Sequence, residues 1–186
     1  MNLYPNVLFV HILSVLGLFL GYGLEWTVSA LLHHSSTTDQ ARAWLRVYRV
    51  SPPVTGASLA VLILSGGWLA ALTGGMNQGW LIVSVAGIVV ALLIGFALIL
   101  PRVRAIRESL PEGNLPLPPE ALLKLQSGAL PTLIRVRVLL AAGIVYLMTV
   151  KPTLGASVIV LVVSMVLGIL FSVTSWSRGS AKRAAA

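Results

Sequence analysis

The sequence has no cysteine and few charged side chains, and both shortages narrow the classes of protein to which it can belong. Without cysteine, disulfides, thiolate metal sites and a cysteine nucleophile are excluded. Only 10% of the 186 residues are charged and 57% are hydrophobic, with a mean hydropathy of +0.94. A soluble domain of this length could not bury so much apolar surface. Lipid is therefore the expected environment of the chain.

The motifs of common enzyme classes are also missing. The sequence contains no glycine-rich phosphate loop, no HExxH and no nucleophile elbow. The small residues of GASLAVLILSGG lie inside an apolar run, where they indicate helix packing. The sequence therefore favours a protein without catalytic machinery.

Five apolar segments are long enough to cross a bilayer. A hydrocarbon core of roughly 30 Å needs about 20 helical residues. Strands of a membrane barrel would instead alternate polar and apolar residues over about ten positions. The opening MNLYPN has no basic residue, so the first segment is expected to be a retained span and not a cleaved signal peptide. The predicted fold class is all-α, a single polytopic membrane helix bundle with five transmembrane helices at about 7–32, 54–73, 80–100, 133–150 and 154–176.

The basic residues predict the orientation of these spans. Of the 13 lysines and arginines, all but Lys151 follow spans 1, 3 and 5 or begin span 4. Because short loops rich in lysine and arginine stay in the cytoplasm, the N-terminus is expected outside and the C-terminus in the cytoplasm. The net charge of +8 is then explained by the anionic headgroups of the bilayer, and nucleic acid is not an expected partner.

The link between spans 1 and 2 predicts an amphipathic helix in the cytoplasmic headgroup layer. Thr37 and Gln40 have the spacing of a capping box. The following residues divide into an apolar face and a basic face, as in helices that lie in the membrane interface. A solvated basic loop is the alternative. The apolar face contains Ala41, Trp44, Leu45 and Tyr48, and the face expected to meet lipid headgroups contains Arg42, Arg46 and Arg49.

The connection from Pro101 to Leu130 is the longest between spans. It is expected to contain a basic extension of span 3, the irregular stretch PEGNLPLPP and a short helix from Glu120 to Ser127. No second soluble domain is predicted.

Small residues at helical spacing predict the faces through which the spans pack, because they let backbones approach closely. Such stripes occur on three spans. They contain Ser14, Gly17 and Gly21 on span 1, Ser84, Gly87, Ala91 and Gly95 on span 3, and Ser157, Ser164, Gly168, Ser172 and Ser175 on span 5.

Glu25 is the one acidic residue inside a span, where a carboxylate usually faces the bundle and has a partner. Arg135 and Arg137 enter span 4 from the same side and point to nearly opposite faces, so one of them can reach Glu25 while the other extends to headgroups. The main interpretation is a structural ion pair that locks the bundle. The alternative is a carboxylate that carries protons or binds a substrate.

His11 is the histidine that lies well within a span. A hydrogen-bonded packing role explains it without a ligand. Alternatively it could bind haem or copper. Met148 and Met76 would then supply thioether ligands for a metal, and Lys151 could hold a haem propionate, so the candidate cofactor-binding set contains His11, Met148 and Lys151 and the metal set His11, Met76 and Met148.

Three stretches of the sequence carry a family resemblance: NVLFVHILSVLGLFLGYGLEW, LILSGGWLAALTGG and YLMTVKPTLGASVIVLV. They resemble a bacterial family of predicted integral membrane proteins of unknown function, distantly similar to copper-resistance D-like membrane domains. The resemblance implies a small multi-pass protein of the bacterial inner membrane, with an early histidine on its first helix, here His11.

Three functions remain open at the level of the sequence. The leading hypothesis is an accessory or scaffold subunit that packs against other membrane subunits through its small-residue faces. The second is a haem- or copper-handling protein that uses His11, and the third is a small proton-coupled carrier that uses Glu25.

Overall fold

The structure, a computed structural model, describes residues 3–75 and 77–184, with the side chains of this range described as far as residue 172. Within this part of the chain the regular structure is helical, and one isolated bridge joins Thr37 to Pro116. In chain order the helices are α1 (Tyr4–His33), α2 (Thr38–Tyr48), α3 (Ser51–Leu72), α4 (Gly79–Leu93), a π-helical segment (Ile94–Ile99), α5 (Leu100–Glu108), α6 (Pro119–Gln126), α7 (Ala129–Val150) and α8 (Leu154–Ala184).

Five helical stretches are long and apolar enough to cross a membrane, which confirms the predicted number. They are Tyr4–His33, Thr38–Leu72, Gly79–Glu108, Pro119–Val150 and Leu154–Ser172. The second includes α2, and the fourth includes the short helix α6, which had been predicted at Glu120 to Ser127. The sidedness of the bundle stays a prediction.

The spans pack as two groups, one of α1 and α3 and the other of α4, α7 and α8. Helix α3 lies along α1, helix α8 lies along α7, and α4 fits against both α7 and α8. Helix α1 also contacts α7, which joins the groups. The side of α3 that faces α4 forms one wall of a groove between the two helices.

The described residues of the small-residue stripes lie at these contacts, as predicted, while Ser175 lies outside the residues whose side chains are described. Gly17 and Gly21 of α1 meet Ser58 and Thr55 of α3. On the other side of the bundle, a Cβ atom added to Gly168 of α8 would lie 2.6 Å from the Cα atom of Val136. The faces that the accessory-subunit hypothesis assigned to partner proteins are therefore used inside the bundle.

Helices α2, α5 and α6 form a hydrophobic cap at one end of the bundle. Helix α2 buries Ala41, Leu45 and Tyr48 against α1, and the connection between α5 and α7 closes over them. Thr38 fixes this connection, since its backbone N–H donates to Leu115 O at 3.0 Å and its hydroxyl donates to Gly113 O. The apolar face of the predicted interfacial helix is thus covered by protein, while its place in the headgroup layer stays a prediction.

A π-helical segment interrupts the third span just before Pro101. In an α-helix, the proline ring would clash with the carbonyl group of Ala97 and could not donate a hydrogen bond to it. A π-helical turn changes the hydrogen bonds from the i→i−4 to the i→i−5 pattern, and it is one of the recognised departures from the regular α-helical ladder. The segment contains Gly95, which faces Arg137 of α7.

Candidate functional site

The structure brings Glu25 and Arg137 together in the interior of the bundle. Arg137 Nη1 lies 3.0 Å from Glu25 Oε2 and 3.3 Å from Oε1. Glu25 is 3% and Arg137 is 7% exposed, so both charges are almost fully removed from the surface. A buried carboxylate and guanidinium need such a partner, because an isolated charge in this environment costs several kcal/mol.

Ser51 holds the carboxylate from the second side. Its hydroxyl lies 3.0 Å from Glu25 Oε1 and 3.0 Å from the carbonyl oxygen of Gly21. Because Ser51 begins α3, this contact ties the start of α3 to the middle of α1.

The guanidinium of Arg137 lies between an aromatic ring and a glycine. Its Cζ atom is 4.3 Å from the ring centre of Tyr22, within the range of a cation–π contact. On another side is Gly95 of the π-helical segment, where an added Cβ atom would come within 3.0 Å of Arg137 Cζ. Any larger residue at position 95 would press on the guanidinium, so the π-helical segment and its glycine make room for Arg137.

The ion pair lines a cavity of about 70 Å³ between α3 and the π-helical segment. Apart from Glu25 and Arg137, its wall is largely apolar. Pro52, Gly56 and Phe96 form an exposed rim. The other lining residues are Tyr48, Thr55, Leu59, Leu92, Gly95 and Leu100.

Two buried polar atoms at this cavity have no hydrogen-bond partner within the described part of the chain. They are Arg137 Nε and Thr55 Oγ1, and both residues line the cavity. Thr55 is 5% exposed. An unpaired buried donor costs about 1–3 kcal/mol. Both atoms have almost no accessible surface, and Thr55 Oγ1 lies against Gly21 of α1, so neither is exposed to the cavity.

Arg135 lies outside this site. Its guanidinium is 5.6 Å from the ring centre of Trp26, and its Nη1 donates to Phe171 O at 3.3 Å. Of the two arginines that the sequence offered to Glu25, the structure therefore places Arg137 beside the carboxylate.

His11 packs against α3. Its Nδ1 atom lies 3.0 Å from the hydroxyl of Ser65, and its ring faces Gly66. Met148 packs against the apolar cluster of α4, α7 and α8, and the ammonium group of Lys151 lies 5.6 Å from the ring centre of Trp80. None of these described contacts joins either residue to His11.

Met76, the remaining candidate ligand, lies outside the described residues. Within the described part of the chain, no three His, Cys, Asp or Glu side chains are grouped as a metal site. The haem and copper interpretations stay predictions without a ligand set in the structure.

The three arginines predicted to meet lipid headgroups differ in their surroundings. Arg46 and Arg49 are exposed on α2. Arg42 is half-buried and donates through Nη2 to the carbonyl oxygen of Leu110 at 3.0 Å. Arg42 therefore helps to hold the cap, whether or not it also meets lipid.

Sequence reasoning missed Ser51, Thr55 and Gly95 as parts of the site. Ser51 and Thr55 begin α3 one turn apart, so they share a face. For Gly95, the sequence feature that could have indicated a special conformation was Pro101, because a proline inside an apolar run indicates a local break of the helix.

Comparison with known proteins supports the membrane assignment. No curated protein and no solved structure matches the chain. The profile of a family described as a predicted integral membrane protein (DUF2269) matches residues 5–152, which include both members of the buried ion pair. The more distant similarity to copper-resistance D-like domains stays a prediction. The chain belongs to the DUF2269 family of predicted integral membrane proteins, whose function is unknown.

Proposed function

We propose that this protein binds a small ligand at the Glu25–Arg137 pair, within the membrane. The observation that carries the proposal is a cavity of about 70 Å³ whose wall contains a buried ion pair. A pair that served only to lock the bundle would be expected to have its remaining polar atoms satisfied by protein. Here the carboxylate of Glu25 contacts Arg137 and Ser51, whereas Arg137 Nε has no hydrogen-bond partner within the described part of the chain.

The charge of the site defines what it can bind. Glu25 and Arg137 neutralise each other at 3.0 Å. The guanidinium of Arg137 carries only N–H donors, so it suits a ligand atom that accepts a hydrogen bond. Space for such an atom exists, because a cavity of this size exceeds the roughly 10–15 Å³ that one water molecule needs.

Replacing Gly56 with leucine is expected to separate ligand binding from stability. Gly56 lines the rim of the cavity, and an added Cβ atom there would meet no atom within 4 Å. Leucine also favours the helix over glycine, so the free energy of unfolding should be unchanged or rise by up to about 1 kcal/mol. If a ligand occupies the cavity, the variant purified in mild detergent should retain several-fold less of the small molecules that copurify with the wild type, as measured by mass spectrometry of an extract.

Gly67→Leu is the matched control, because Gly67 is also an exposed glycine of α3 with open space at its Cβ position and does not line the cavity. This variant should retain the copurifying molecules at the level of the wild type. Equal retention by Gly56→Leu and the wild type would contradict the proposal.

A proton-coupled carrier that uses Glu25 is a second candidate, supported by the position of the carboxylate on the cavity wall. The accessory-subunit hypothesis has less support, since the small-residue faces on which it rested pack inside the bundle. Both stay proposals.

We further propose that the protein is a multi-pass protein of the bacterial inner membrane with its N-terminus outside. In this orientation the cap and the exposed Arg46 and Arg49 meet the anionic headgroups of the cytoplasmic leaflet. The connection between α3 and α4 and the residues around Lys151 then lie outside.

The absence of cysteine allows a direct test of this orientation. In right-side-out spheroplasts, a membrane-impermeant maleimide is expected to label Asn77→Cys, and to label Glu112→Cys only after permeabilisation. The wild type provides the background, because it has no thiol. Labelling of Glu112→Cys alone in intact spheroplasts would reverse the proposed topology.

A further inference from the structure

The two groups of spans are each packed closely within themselves. In the first group, α1 and α3, Gly21 brings the backbone of α1 against the side chain of Thr55. In the second group, α4, α7 and α8, a Cβ atom added to Gly87 of α4 would lie 2.9 Å from Leu161 Cδ1 of α8. Closely packed helices have little freedom to shift against each other. Each group is therefore a compact unit.

The boundary between the groups is packed more loosely. Two cavities lie along it, the one of about 70 Å³ at the ion pair and a second of about 30 Å³. The second cavity is lined by α1 and α3 on one side and by α4 and α7 on the other. Side chains that border a void lose the dispersion contacts that a filled interface would give them. The attraction between the groups is therefore weaker than the attraction inside each.

The apolar core joins the groups at the cap and divides away from it. The cluster at the cap contains residues of both groups, among them Leu32 of α1 and Ile134 of α7. Toward the other end, a separate cluster belongs to the second group alone. Between these two clusters, α1 meets α7 through the small set Leu18, Tyr22 and Ala141. The groups are thus held firmly at the cap and weakly at the end away from it.

The polar contacts of the spans follow the same division. The Glu25–Arg137 pair joins α1 to α7, and it lies one turn from Val28 of the cap cluster. Further from the cap, His11 forms its hydrogen bond with Ser65, inside the first group. The strongest polar link between the groups therefore lies beside the cap.

We infer that the bundle opens at the end away from the cap, where α1 and α3 swing as one unit against α4, α7 and α8 about the cap as a hinge. Packed units that are joined at one end change between discrete arrangements and do not deform continuously. Opening along the two cavities would uncover Tyr22 and then the ion pair from that end. The motion follows from the packing and does not depend on a ligand at the cavity.

The absence of cysteine allows pairs of spin labels to be attached at chosen positions. Gly67 of α3 and Gly155 of α8 lie toward the end away from the cap, one in each group. Gly23 of α1 and Leu93 of α4 lie near the depth of the ion pair, again one in each group. All four are exposed, and the three glycines have no atom within 4 Å of the Cβ position, so a label should not disturb the packing.

Double electron–electron resonance of the full chain in lipid nanodiscs measures the distances. For Gly67→Cys/Gly155→Cys we expect two distances, or a distribution roughly twice as wide as in the control pairs, because freezing preserves the populations of both states. Gly23→Cys/Leu93→Cys crosses the boundary near the hinge, and Leu93→Cys/Gly155→Cys lies within the second group. Both control pairs should give a single narrow distance.

Three results would overturn the inference. Equally narrow distributions for all three pairs would show that the bundle does not open. Two distances for Gly23→Cys/Leu93→Cys would show that the hinge is not at the cap, and two distances for Leu93→Cys/Gly155→Cys would show that the second group is not one unit. Because the retention of copurifying molecules by Gly56→Leu is measured separately, this inference and the proposed ligand site can fail independently.

Discussion

Replacing Glu25 with alanine is expected to lower the free energy of unfolding by about 3–5 kcal/mol, the effect of leaving one member of a buried ion pair without its partner. The guanidinium of Arg137 would lose the carboxylate that lies 3.0 Å away in the wild type. Its remaining described contact with a favourable electrostatic partner would be the ring of Tyr22. Unfolding of the purified protein by a graded addition of sodium dodecyl sulfate, followed by circular dichroism, measures the loss.

The double variant Glu25→Ala/Arg137→Leu distinguishes a lost charge partner from a lost contact. Without the uncompensated guanidinium, at least half of the lost stability should return, because apolar replacements of buried pairs are often neutral. Arg135→Leu is the surface control and should lose less than about 1 kcal/mol, the range of an exposed cation–π contact. A double variant as unstable as Glu25→Ala would refute the pairing as the cause.

Replacing Gly168 with alanine is expected to destabilise the bundle by about 1–3 kcal/mol, through a single added methyl group. The new Cβ atom would lie 2.6 Å from Val136 Cα and 3.0 Å from Val136 N, so it meets backbone that no change of side-chain rotamer can clear. Helices α7 and α8 would have to move apart along their contact.

Gly155→Ala is the control for helix propensity, since it lies on the same helix and has no atom within 4 Å of the new Cβ. It should be neutral or stabilising by up to about 1 kcal/mol. The same detergent titration measures both variants. A Gly168→Ala protein as stable as Gly155→Ala would show that the close approach of α7 and α8 is not required.

Much of the fold could be predicted because lipid imposes simple rules on a sequence. Long apolar segments gave the five spans, and small residues such as Gly21 and Gly168 gave the packing faces. The cap could not be predicted in the same way. Its core joins Leu45 of α2 to Leu117 and Leu125, and no local pattern encodes contacts between segments so distant in the chain.

The charged residues of the candidate site could be predicted from the sequence, but the residues that surround them could not. A lone carboxylate inside a span requires a partner, so Glu25 and the arginines of span 4 could be related from the sequence. The choice of Arg137 over Arg135 depended on the rotation of α7, which is set by packing. The cavity depends on the π-helical segment and on the side of α3 that faces α4. Neither feature produces a periodic pattern in the sequence.

The two members of the buried ion pair are 112 positions apart in the chain, whereas Ser51 follows Glu25 by 26. Since chains are synthesised from the N-terminus at about 5–20 residues per second, the ribosome adds Glu25 several seconds before it adds Arg137. During biogenesis the Ser51 hydroxyl is the first of its final partners to arrive. Ser51 is therefore available to donate a hydrogen bond to the carboxylate of Glu25 before synthesis of the fourth span supplies Arg137.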